Sequence, residues 1–283
     1  MAKKFFTDPK TLWNGKEDWF NSLSRVYKDT VHVNYRIIDT DLLVNYILDT
    51  IERYCPNGAT INDFCGGWGR ISLPLAKLGI RSRVIDSSQR YVNDGKNIAN
   101  KWGISDLINF EKFDLNEIEK LEFTETNVFL FLEGIEYFKF DDRRRVLSVI
   151  KERMNPGDIL IVTAVDKLAY TNFQIRKMLF FSKIVNMFRE DKFVDLAGTP
   201  FTPLNNVDFY NSLPIDESCA LIDKRKYLQM DNLINAVGNI LQSTYFDHPE
   251  LSGDLVDLNY QLMYEDEYKD YGFFHIATLR KEK

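Results

Sequence analysis

The chain has 283 residues, of which 45% are hydrophobic and 28% charged, and its formal net charge is −6. This composition is typical of a globular protein with a substantial core, and no apolar run is long enough to span a membrane. The acidic balance argues against non-specific nucleic-acid binding, which depends on an excess of lysine and arginine. We therefore expect neither a nucleic-acid nor a membrane partner.

The three cysteines have neither disulfide-like nor metal-like spacing. The first residues are basic but lack the apolar segment of a secretory signal. We therefore expect a cytoplasmic protein with reduced thiols and no structural metal site.

The residues up to about Tyr54 are predicted to be helical. Apolar side chains recur at helical spacing from Ile37 to Tyr54, with Asp39 or Thr40 as the expected N-cap. The segment before them is rich in aromatic side chains, which either anchor the core or contribute to a lid over a ligand.

From Ala59 to Val165, strand and helix patterns alternate. The predicted strands are Thr60–Phe64, Arg83–Asp86, Ile108–Phe113, Asn127–Leu132 and Ile159–Val165. The predicted helices lie near Ile71–Leu78, Tyr91–Trp102 and Asp141–Arg153. This alternation predicts a parallel sheet with helices on both faces, and the continuous apolar runs of the last two strands are typical of buried parallel strands.

The alternation stops at Asp166. Residues 166–226 contain a helix candidate at Phe173–Phe188 and then a stretch with three prolines, and so long a connection is usually functional or mobile. We interpret it as a lid-like insertion; the basic and apolar helix candidate would also suit a membrane surface. The remaining pattern predicts a helix at Asp231–Thr244, a strand around Leu255–Met263 and a last strand at Phe273–Leu279.

A glycine-rich turn joins the first predicted strand to the helix that follows it. Its sequence is Asp63-Phe-Cys-Gly-Gly-Trp-Gly-Arg70. Glycine has no Cβ, so backbone N–H groups and the helix N-terminus can come close to a ligand there. The next strand ends in Asp86, whose carboxylate could accept hydrogen bonds from both hydroxyls of a ribose. The combination predicts a nucleoside-binding site.

This turn resembles motif I of class I S-adenosylmethionine-dependent methyltransferases, acidic-x-Gly-x-Gly-x-Gly. Gly67 and Gly69 match its second and third glycines, and Cys65 stands where the first is expected. The resemblance covers Thr60–Val165 and the last strand, and it implies a Rossmann-like α/β fold with a seven-stranded, mostly parallel sheet. The implied single domain comprises a helical cap (1–55), a cofactor-binding core (56–165), the lid-like insertion (166–226) and a C-terminal part that completes the sheet (227–283).

A nicotinamide-binding Rossmann domain is the competing interpretation. Such domains need Gly-x-Gly-x-x-Gly so that the helix can approach the pyrophosphate. Here Gly67 and Gly69 are followed by Arg70, Ile71 and Ser72, so the third glycine is missing. The pattern therefore favours the methyltransferase family.

The resemblance implies S-adenosylmethionine as the cofactor and a role for each residue near it. The Cys65–Gly69 turn would contact the methionine part through its backbone, and Asp63 would orient the turn or bind the ammonium group through water. Asp86 would hold the ribose, and Asp114 would accept a hydrogen bond from the adenine amino group. The implied cofactor-binding residues are Asp63, Cys65, Gly66, Gly67, Trp68, Gly69, Asp86, Ser87, Phe113, Asp114 and Leu132.

The segment after the fourth predicted strand is where the acceptor pocket of this family begins. Glu133 or Glu136 could hold a cationic amine or take a proton, and Tyr137 could pack against the acceptor. For Glu136 and Tyr137, a solvated carboxylate and a core side chain are the alternative interpretations. His248, which lies in a predicted loop, is a further candidate for a general base, so the predicted catalytic residues are Glu133 and His248.

Together these features predict methyl transfer to oxygen or nitrogen of a small-molecule acceptor. The fourth strand is followed by Leu132-Glu-Gly-Ile135, not by an Asn-Pro-Pro-Tyr-like motif, which argues against methylation of a flipped base. The alternatives are a methyltransferase acting on a protein or RNA and a non-catalytic partner subunit with the same fold. The oligomeric state stays open.

Overall fold

The computed structural model describes residues 30–123, 125–170, 193–194, 200–227, 249–265 and 272–282. Within these ranges seven strands form one sheet. They are β1 (Thr60–Phe64), β2 (Arg81–Asp86), β3 (Ile108–Lys112), β4 (Val128–Leu132), β5 (Ile159–Val165), β6 (Cys219–Tyr227) and β7 (Phe274–Lys281). A separate antiparallel pair joins Phe193–Val194 to Pro200–Phe201.

The strand order in the sheet is β3-β2-β1-β4-β5-β7-β6. Strands β1 to β5 are parallel, whereas β7 runs antiparallel to both of its neighbours. This arrangement confirms the predicted seven-stranded, mostly parallel α/β fold. It differs from the usual dinucleotide-binding order, in which the sixth strand follows the fifth across the sheet. The order reverses between β1 and β4, and open α/β sheets bind ligands at the carboxyl ends of strands at such a point.

Helices cover both faces of the sheet. They are α1 (Thr30–Tyr54), α2 (Ser72–Lys77), α3 (Gln89–Lys101), α4 (Phe140–Arg153), α5 (Asn206–Ser212) and α6 (Pro249–Tyr264). Short 3-10 helices follow β3 at Leu115–Lys120 and β4 at Ile135–Tyr137. In the described ranges, no helix is both long and apolar enough to cross a membrane.

Each face of the sheet has its own apolar layer. Residues of α1, α2 and α3 share one layer, and residues of α4 and α5 share the other. Helix α6 packs on α1, and α5 packs on α4. Because α1 lies on the same face as α2, the first turns of α1 come close to the glycine-rich turn that precedes α2.

The prediction of a strand around Leu255–Met263 is wrong, because these residues lie within α6. The apolar side chains at 256, 258, 260 and 262 alternate as in a strand. The buried positions are instead Leu255, Val256, Asn259 and Met263, which recur at helical spacing. Asn259 is buried although asparagine is a polar residue, so the hydrophobic pattern of the sequence does not indicate the buried face of this helix.

The edge strand of the sheet is β6, and all of its residues but Tyr227 lie in the predicted insertion 166–226. The segment reads Cys-Ala-Leu-Ile-Asp-Lys-Arg-Lys-Tyr, and its run of charged residues weakens the strand pattern. Charged residues are common on the edge of a sheet, where they discourage pairing with another chain. Asp223 and Arg225 of β6 form an ion pair with each other, with Nη2 2.6 Å from Oδ1.

The predicted cap of the N-terminal helix is also wrong. Asp39 and Thr40 lie in the middle of α1, whose described part already begins at Thr30. Both side chains are buried and contact the guanidinium group of Arg70, so they have a tertiary role and no capping role. The helix candidates Phe173–Phe188 and Asp231–Thr244 and the predicted base His248 lie outside the described residues.

Candidate active site

Two residues with strained backbones mark the point where the strand order reverses. Cys65 directly follows β1 and has φ of 56°, and Glu133 directly follows β4 and has φ of 52°. A non-glycine residue in this left-handed region costs about 1–3 kcal/mol, and such residues concentrate at functional sites. The carboxyl ends of β1 and β4 are therefore a candidate ligand site.

The glycines of the turn are needed for two different reasons. A Cβ at Gly66 would lie 2.7 Å from Cγ of Asp63 and 2.7 Å from Cγ1 of Val84, so there is no room for a side chain. Gly67 has φ of 59°, but a Cβ there would meet only Tyr91, at 4.0 Å. One glycine therefore lets the turn pack against the sheet, and the next leaves its outer side open.

Asp86, at the end of β2, holds the turn from the neighbouring strand. Its Oδ2 accepts a hydrogen bond from the N–H of Gly67 at 2.9 Å, and its Oδ1 accepts one from the N–H of Ser88 at 2.8 Å. Burial raises the pKa of Asp86, and the two N–H donors counteract this rise. Each carboxylate oxygen retains a second lone pair that can accept from a ligand.

Asp63, the last but one residue of β1, lies behind the turn. Its Oδ2 accepts a hydrogen bond from the hydroxyl of Ser72 at 2.6 Å, which connects the strand to the first residue of α2. Burial raises the pKa of Asp63 to about 7, with Asp86 adding to the rise and Ser72 and Arg70 opposing it. These contacts support the predicted role in orienting the turn more than the alternative, binding of the ligand's ammonium group through water.

A cavity of about 630 Å³ lies along the carboxyl ends of β1 to β4. This volume is within the range of small-ligand sites. The predicted cofactor-binding residues that border it are Asp63, Cys65, Gly66, Gly67, Trp68, Asp86, Ser87, Phe113, Asp114 and Leu132. Gly69 does not border the cavity: a Cβ there would lie 2.9 Å from the ring of Phe110, so this glycine serves packing beneath the turn.

Asp114 and Phe113 border the cavity just after β3. Oδ1 of Asp114 accepts hydrogen bonds from the backbone N–H and the side-chain amide of Asn116, both at 2.9 Å, and thereby caps the 3-10 helix that follows. The N–H of Phe113 donates to the carbonyl oxygen of Asp86 at 3.0 Å. The ends of β2 and β3 are thus held together where the two carboxylates reach the cavity.

Two of the three residues predicted for the acceptor pocket, Glu136 and Tyr137, have different environments. Glu136 is only 2% exposed and does not border the cavity, so it is neither a solvated carboxylate nor a contact for an acceptor. Its Oε1 accepts a hydrogen bond from the N–H of Val165 at 2.6 Å, which ties the end of β5 to the segment after β4. Tyr137 is 47% exposed and borders the cavity, so the alternative of a core side chain is wrong.

Glu136→Gln is expected to make the free energy of unfolding of the protein depend less on pH. Burial raises the pKa of Glu136 to about 8, whereas an unfolded glutamate titrates near 4.3. The unfolded state therefore loses its proton first, and this group's contribution to stability falls as pH rises from about 4 to 8, by at most about 1.4 kcal/mol per pH unit. Glutamine keeps an acceptor for the Val165 N–H but cannot ionise.

Urea denaturation at pH 5, 6.5 and 8 measures this effect. The free energy of unfolding of Glu136→Gln, relative to that of the wild type, should increase as pH rises. Glu152→Gln, at an exposed position on α4, is the control, and its free energy of unfolding should change with pH as that of the wild type does. Parallel curves for Glu136→Gln and the wild type would show that Glu136 is ionised in the folded protein.

A network of four charged side chains joins α1, the turn and the end of β4. Nη1 of Arg36 lies 2.8 Å from Oδ2 of Asp39 and 2.6 Å from Oε2 of Glu133. Nη1 of Arg70 lies 2.7 Å from the same Asp39 oxygen, and its Nη2 lies 2.8 Å from Oε1 of Glu133. Arg36, Arg70 and Glu133 border the cavity, whereas Asp39 does not.

Neither Arg36 nor Arg70 is among the site residues predicted from the sequence. Arg70 closes the glycine-rich motif, and its position is the one local signal for a role there. Arg36 precedes the motif by 27 residues or more and carries no recognisable spacing. In the part of the chain that the structure describes, no group of three or more His, Cys, Asp or Glu side chains is placed to hold a metal ion.

Comparison with known proteins gives matches to solved structures and none to family models or curated protein sequences. Magnesium protoporphyrin IX methyltransferase from Synechocystis PCC 6803 matches in two structures, each with a TM-score of 0.53 and 14% identity. The structure with bound SAH matches over 95% of this chain and 95% of that chain. The structure with bound SAM matches over 95% of this chain and 92% of that chain. The PH0226 protein from Pyrococcus horikoshii OT3 matches with a TM-score of 0.51 and 12% identity, over 84% of this chain and 90% of that chain. The resemblance seen in the sequence is confirmed at the level of the fold, and the chain has the fold of class I S-adenosylmethionine-dependent methyltransferases.

Proposed function

We propose that this protein is an enzyme that transfers the methyl group of S-adenosylmethionine to oxygen or nitrogen of a small-molecule acceptor. The observation that carries the proposal is the position of Asp86. Its carboxylate borders the cavity, is held by two backbone N–H groups and lies beside the open side of Gly67. An acidic group held in this way beside a glycine-rich turn suits the two hydroxyls of a ribose.

The order of the strands supports an elongated ligand that lies across the edge of the sheet. The carboxyl ends of β3, β2, β1 and β4, which are consecutive neighbours in the sheet, carry Asp114, Asp86, the Cys65–Gly69 turn and Glu133. Adjacent strands are about 4.8 Å apart, so these four positions span about 14 Å. The adenine, the ribose and the amino-acid part of the cofactor would meet Asp114, Asp86 and the turn in that order.

The residues present fit such a cofactor. Gly67 leaves open the space where a side chain would project, and the carboxylate of Asp86 retains acceptor capacity on both oxygens. Tyr91 and Trp68 border the cavity and offer apolar surface for a base. When bound, the cofactor supplies a methyl group that its sulfonium already makes electrophilic.

The work left to the chain is to position the acceptor, exclude water and accept a proton where the acceptor carries one. Tyr137 lies at the acceptor side of the cavity, and its ring centroid is 6.1 Å from that of Phe201. Phe201 in turn meets the ring of Tyr170 edge to face at 5.1 Å. Tyr137 is the member of this aromatic cluster that borders the cavity, and its ring would pack against a small organic acceptor.

The two candidates for a general base are Glu133 and His248, and the structure describes the surroundings of Glu133. Glu133 lies at the cavity but is ion-paired to Arg36 and Arg70, so it would have to leave an arginine before it could take a proton. His248 lies outside the described residues and stays a prediction.

The three cysteines are free thiols, which supports the proposal of a cytoplasmic protein.

Calorimetry with S-adenosylmethionine, S-adenosylhomocysteine and NAD tests the cofactor. We expect micromolar dissociation constants for the first two, equivalent to about −8 kcal/mol, and no heat with NAD. A mixture of small metabolites incubated with a methyl-labelled cofactor then tests transfer. Binding of NAD without binding of either methionine derivative would overturn the proposal, and cofactor binding without label transfer to any small molecule would favour a macromolecular acceptor or a non-catalytic subunit.

A further inference from the structure

A second cavity, of about 130 Å³, lies between α1, α6 and the edge strand β6. It shares no lining residue with the first cavity, which lies at the carboxyl ends of β1 to β4. Thr278, which borders the second cavity, pairs with Ile161 near the amino end of β5. Both cavities border α1, but Arg53 at the second lies about 25 Å along the helix from Arg36 at the first. The proposed function leaves the second cavity without a role.

A continuous series of polar contacts runs along the wall of this cavity. The hydroxyl of Tyr46 donates to Oδ2 of Asp223 at 2.9 Å and lies 2.6 Å from the hydroxyl oxygen of Thr278. Asp223 is ion-paired to Arg225, with Nη2 2.6 Å from Oδ1. The guanidinium group of Arg225 lies over the ring of Tyr264, 4.1 Å from its centroid. These contacts fix the polar groups before a ligand arrives, so binding requires little ordering of side chains.

The series of contacts continues through α6 and ends at Asp49, on the edge of the cavity. The hydroxyl oxygens of Tyr264 and Tyr260 are 3.2 Å apart, and the hydroxyl of Tyr260 donates to Oδ2 of Asp49. Within the described residues, the other carboxylate oxygen of Asp49 has no hydrogen bond. A carboxylate accepts at both oxygens, so Asp49 can still accept hydrogen bonds from a ligand.

Arg53 borders the cavity one helical turn after Asp49. Its side chain is exposed, and no hydrogen bond or ion pair involves it in the part of the chain that the structure describes. The two residues have the i, i+4 spacing at which ion pairs form on a helix, but Asp49 instead contacts Tyr260 on α6. The cavity therefore has one unpaired cation and one carboxylate with spare capacity, about 6 Å apart along the helix axis.

We propose that the second cavity binds a free amino acid, whose ammonium group pairs with Asp49 and whose carboxylate pairs with Arg53. The other two charged residues at the cavity, Asp223 and Arg225, neutralise each other, so its lining has no net formal charge. Complementary charges therefore favour a zwitterion over a simple anion or cation. This site goes beyond the proposed function and does not depend on it.

The size of the cavity agrees with such a ligand. About 10–15 Å³ is enough for one water molecule, whereas sites for drug-sized ligands measure roughly 300–1,000 Å³. A volume of about 130 Å³ lies between these limits and suits a molecule of the size of an amino acid. The hydroxyl groups of Thr50 and Thr278 and the ring of Tyr54 also border the cavity, so the ligand's side chain would meet both polar and aromatic groups.

Saturation-transfer NMR with a panel of free L-amino acids tests the site, with S-adenosylhomocysteine added in excess to occupy the first cavity. We expect at least one amino acid to bind. Its decarboxylated form and its desamino form each lack one of the two charges, so both should bind about tenfold more weakly, because each loses a charge-assisted contact. Failure of every amino acid to bind would overturn the proposal.

Two variants assign the binding to this cavity. Arg53→Gln should weaken the amino acid by about tenfold and remove its advantage over the decarboxylated form. Asp49→Asn keeps an acceptor for the hydroxyl of Tyr260 but should remove the advantage of the amino acid over the desamino form. The matched control is Glu52→Gln, because Glu52 is exposed on the same turn of α1 but does not border the cavity. It should bind all three compounds as the wild type does.

The remaining outcomes also decide the proposal. Equal binding of the amino acid and the desamino form to the wild type would make the cavity an anion site and overturn the zwitterion. Equal binding of the amino acid to the wild type and both variants would place it elsewhere on the protein. A thermal melt without ligand shows whether each variant is folded, and the exposed Arg53 makes Arg53→Gln informative even if Asp49→Asn is unfolded. None of these results depends on S-adenosylmethionine binding, because the variants and not the added nucleoside identify the cavity.

Discussion

Asp86→Asn is expected to weaken the binding of S-adenosylhomocysteine by roughly two orders of magnitude. A hydrogen bond to a charged group is worth about 1.5–3 kcal/mol, and the ribose would form two of them. The asparagine amide also has one acceptor oxygen where the native carboxylate uses two, for the N–H groups of Gly67 and Ser88. Its NH₂ group must therefore face one of these donors, which shifts the turn as well as removing the charge.

Calorimetry gives the dissociation constant, and a thermal melt without ligand shows whether the variant is folded. Asp106→Asn, at an exposed position between α3 and β3, is the control and should bind as the wild type does. If Asp86→Asn keeps its affinity within about twofold, Asp86 does not touch the ligand, and the observation that carries the proposed function is lost.

Gly66→Ala is expected to have the second large effect, on both stability and binding. Gly66 has no positive φ, so alanine brings no backbone strain there. The added Cβ would nevertheless lie 2.7 Å from Cγ and Oδ2 of Asp63 and from Cγ1 of Val84, and both of these side chains are buried. Overpacking of this kind costs about 1–3 kcal/mol, and the turn must move to relieve it.

Urea denaturation and calorimetry with S-adenosylhomocysteine measure the two consequences. We expect the free energy of unfolding to fall by about 3 kcal/mol and the affinity to fall by more than tenfold. Gly103→Ala is the control, because nothing lies within 4 Å of its added Cβ and only its φ of 66° is unfavourable, at about 1 kcal/mol. Equal losses of stability in the two variants would show that the close packing behind the turn is not a constraint.

The core of the fold was predictable because its signals are local. Strands β1 and β5 begin and end where the sequence predicts them, and the turn between Asp63 and Arg70 has the positions and the open side that its glycines indicate. Continuous apolar runs, glycines that tolerate close approach and an acidic residue at a strand end all depend on neighbours within a few residues. Most of the residues that line the cavity at the ends of β1, β2 and β3 follow from these local signals.

Burial of polar residues could not be predicted, because it depends on partners that are distant in sequence. Glu136 has the sequence context of an exposed carboxylate, but Val165 supplies a buried donor 29 residues later. Asn259 is buried in α6, and because asparagine is polar the sequence pattern around it predicts a strand where the structure has a helix. The charged edge strand β6 forms only because β7 offers it hydrogen bonds from the end of the chain.

The sequence by itself determined the α/β core, the glycine-rich turn and the carboxylates at the ends of β2 and β3. Only the tertiary structure decided that Arg36, 97 residues before Glu133, meets it at the cavity together with Arg70. The physical reason is that a local pattern fixes the path of a strand or turn, whereas an ion pair depends on how two elements pack. Packing α1 beside the turn brings four charged side chains together, and three of them border the cavity.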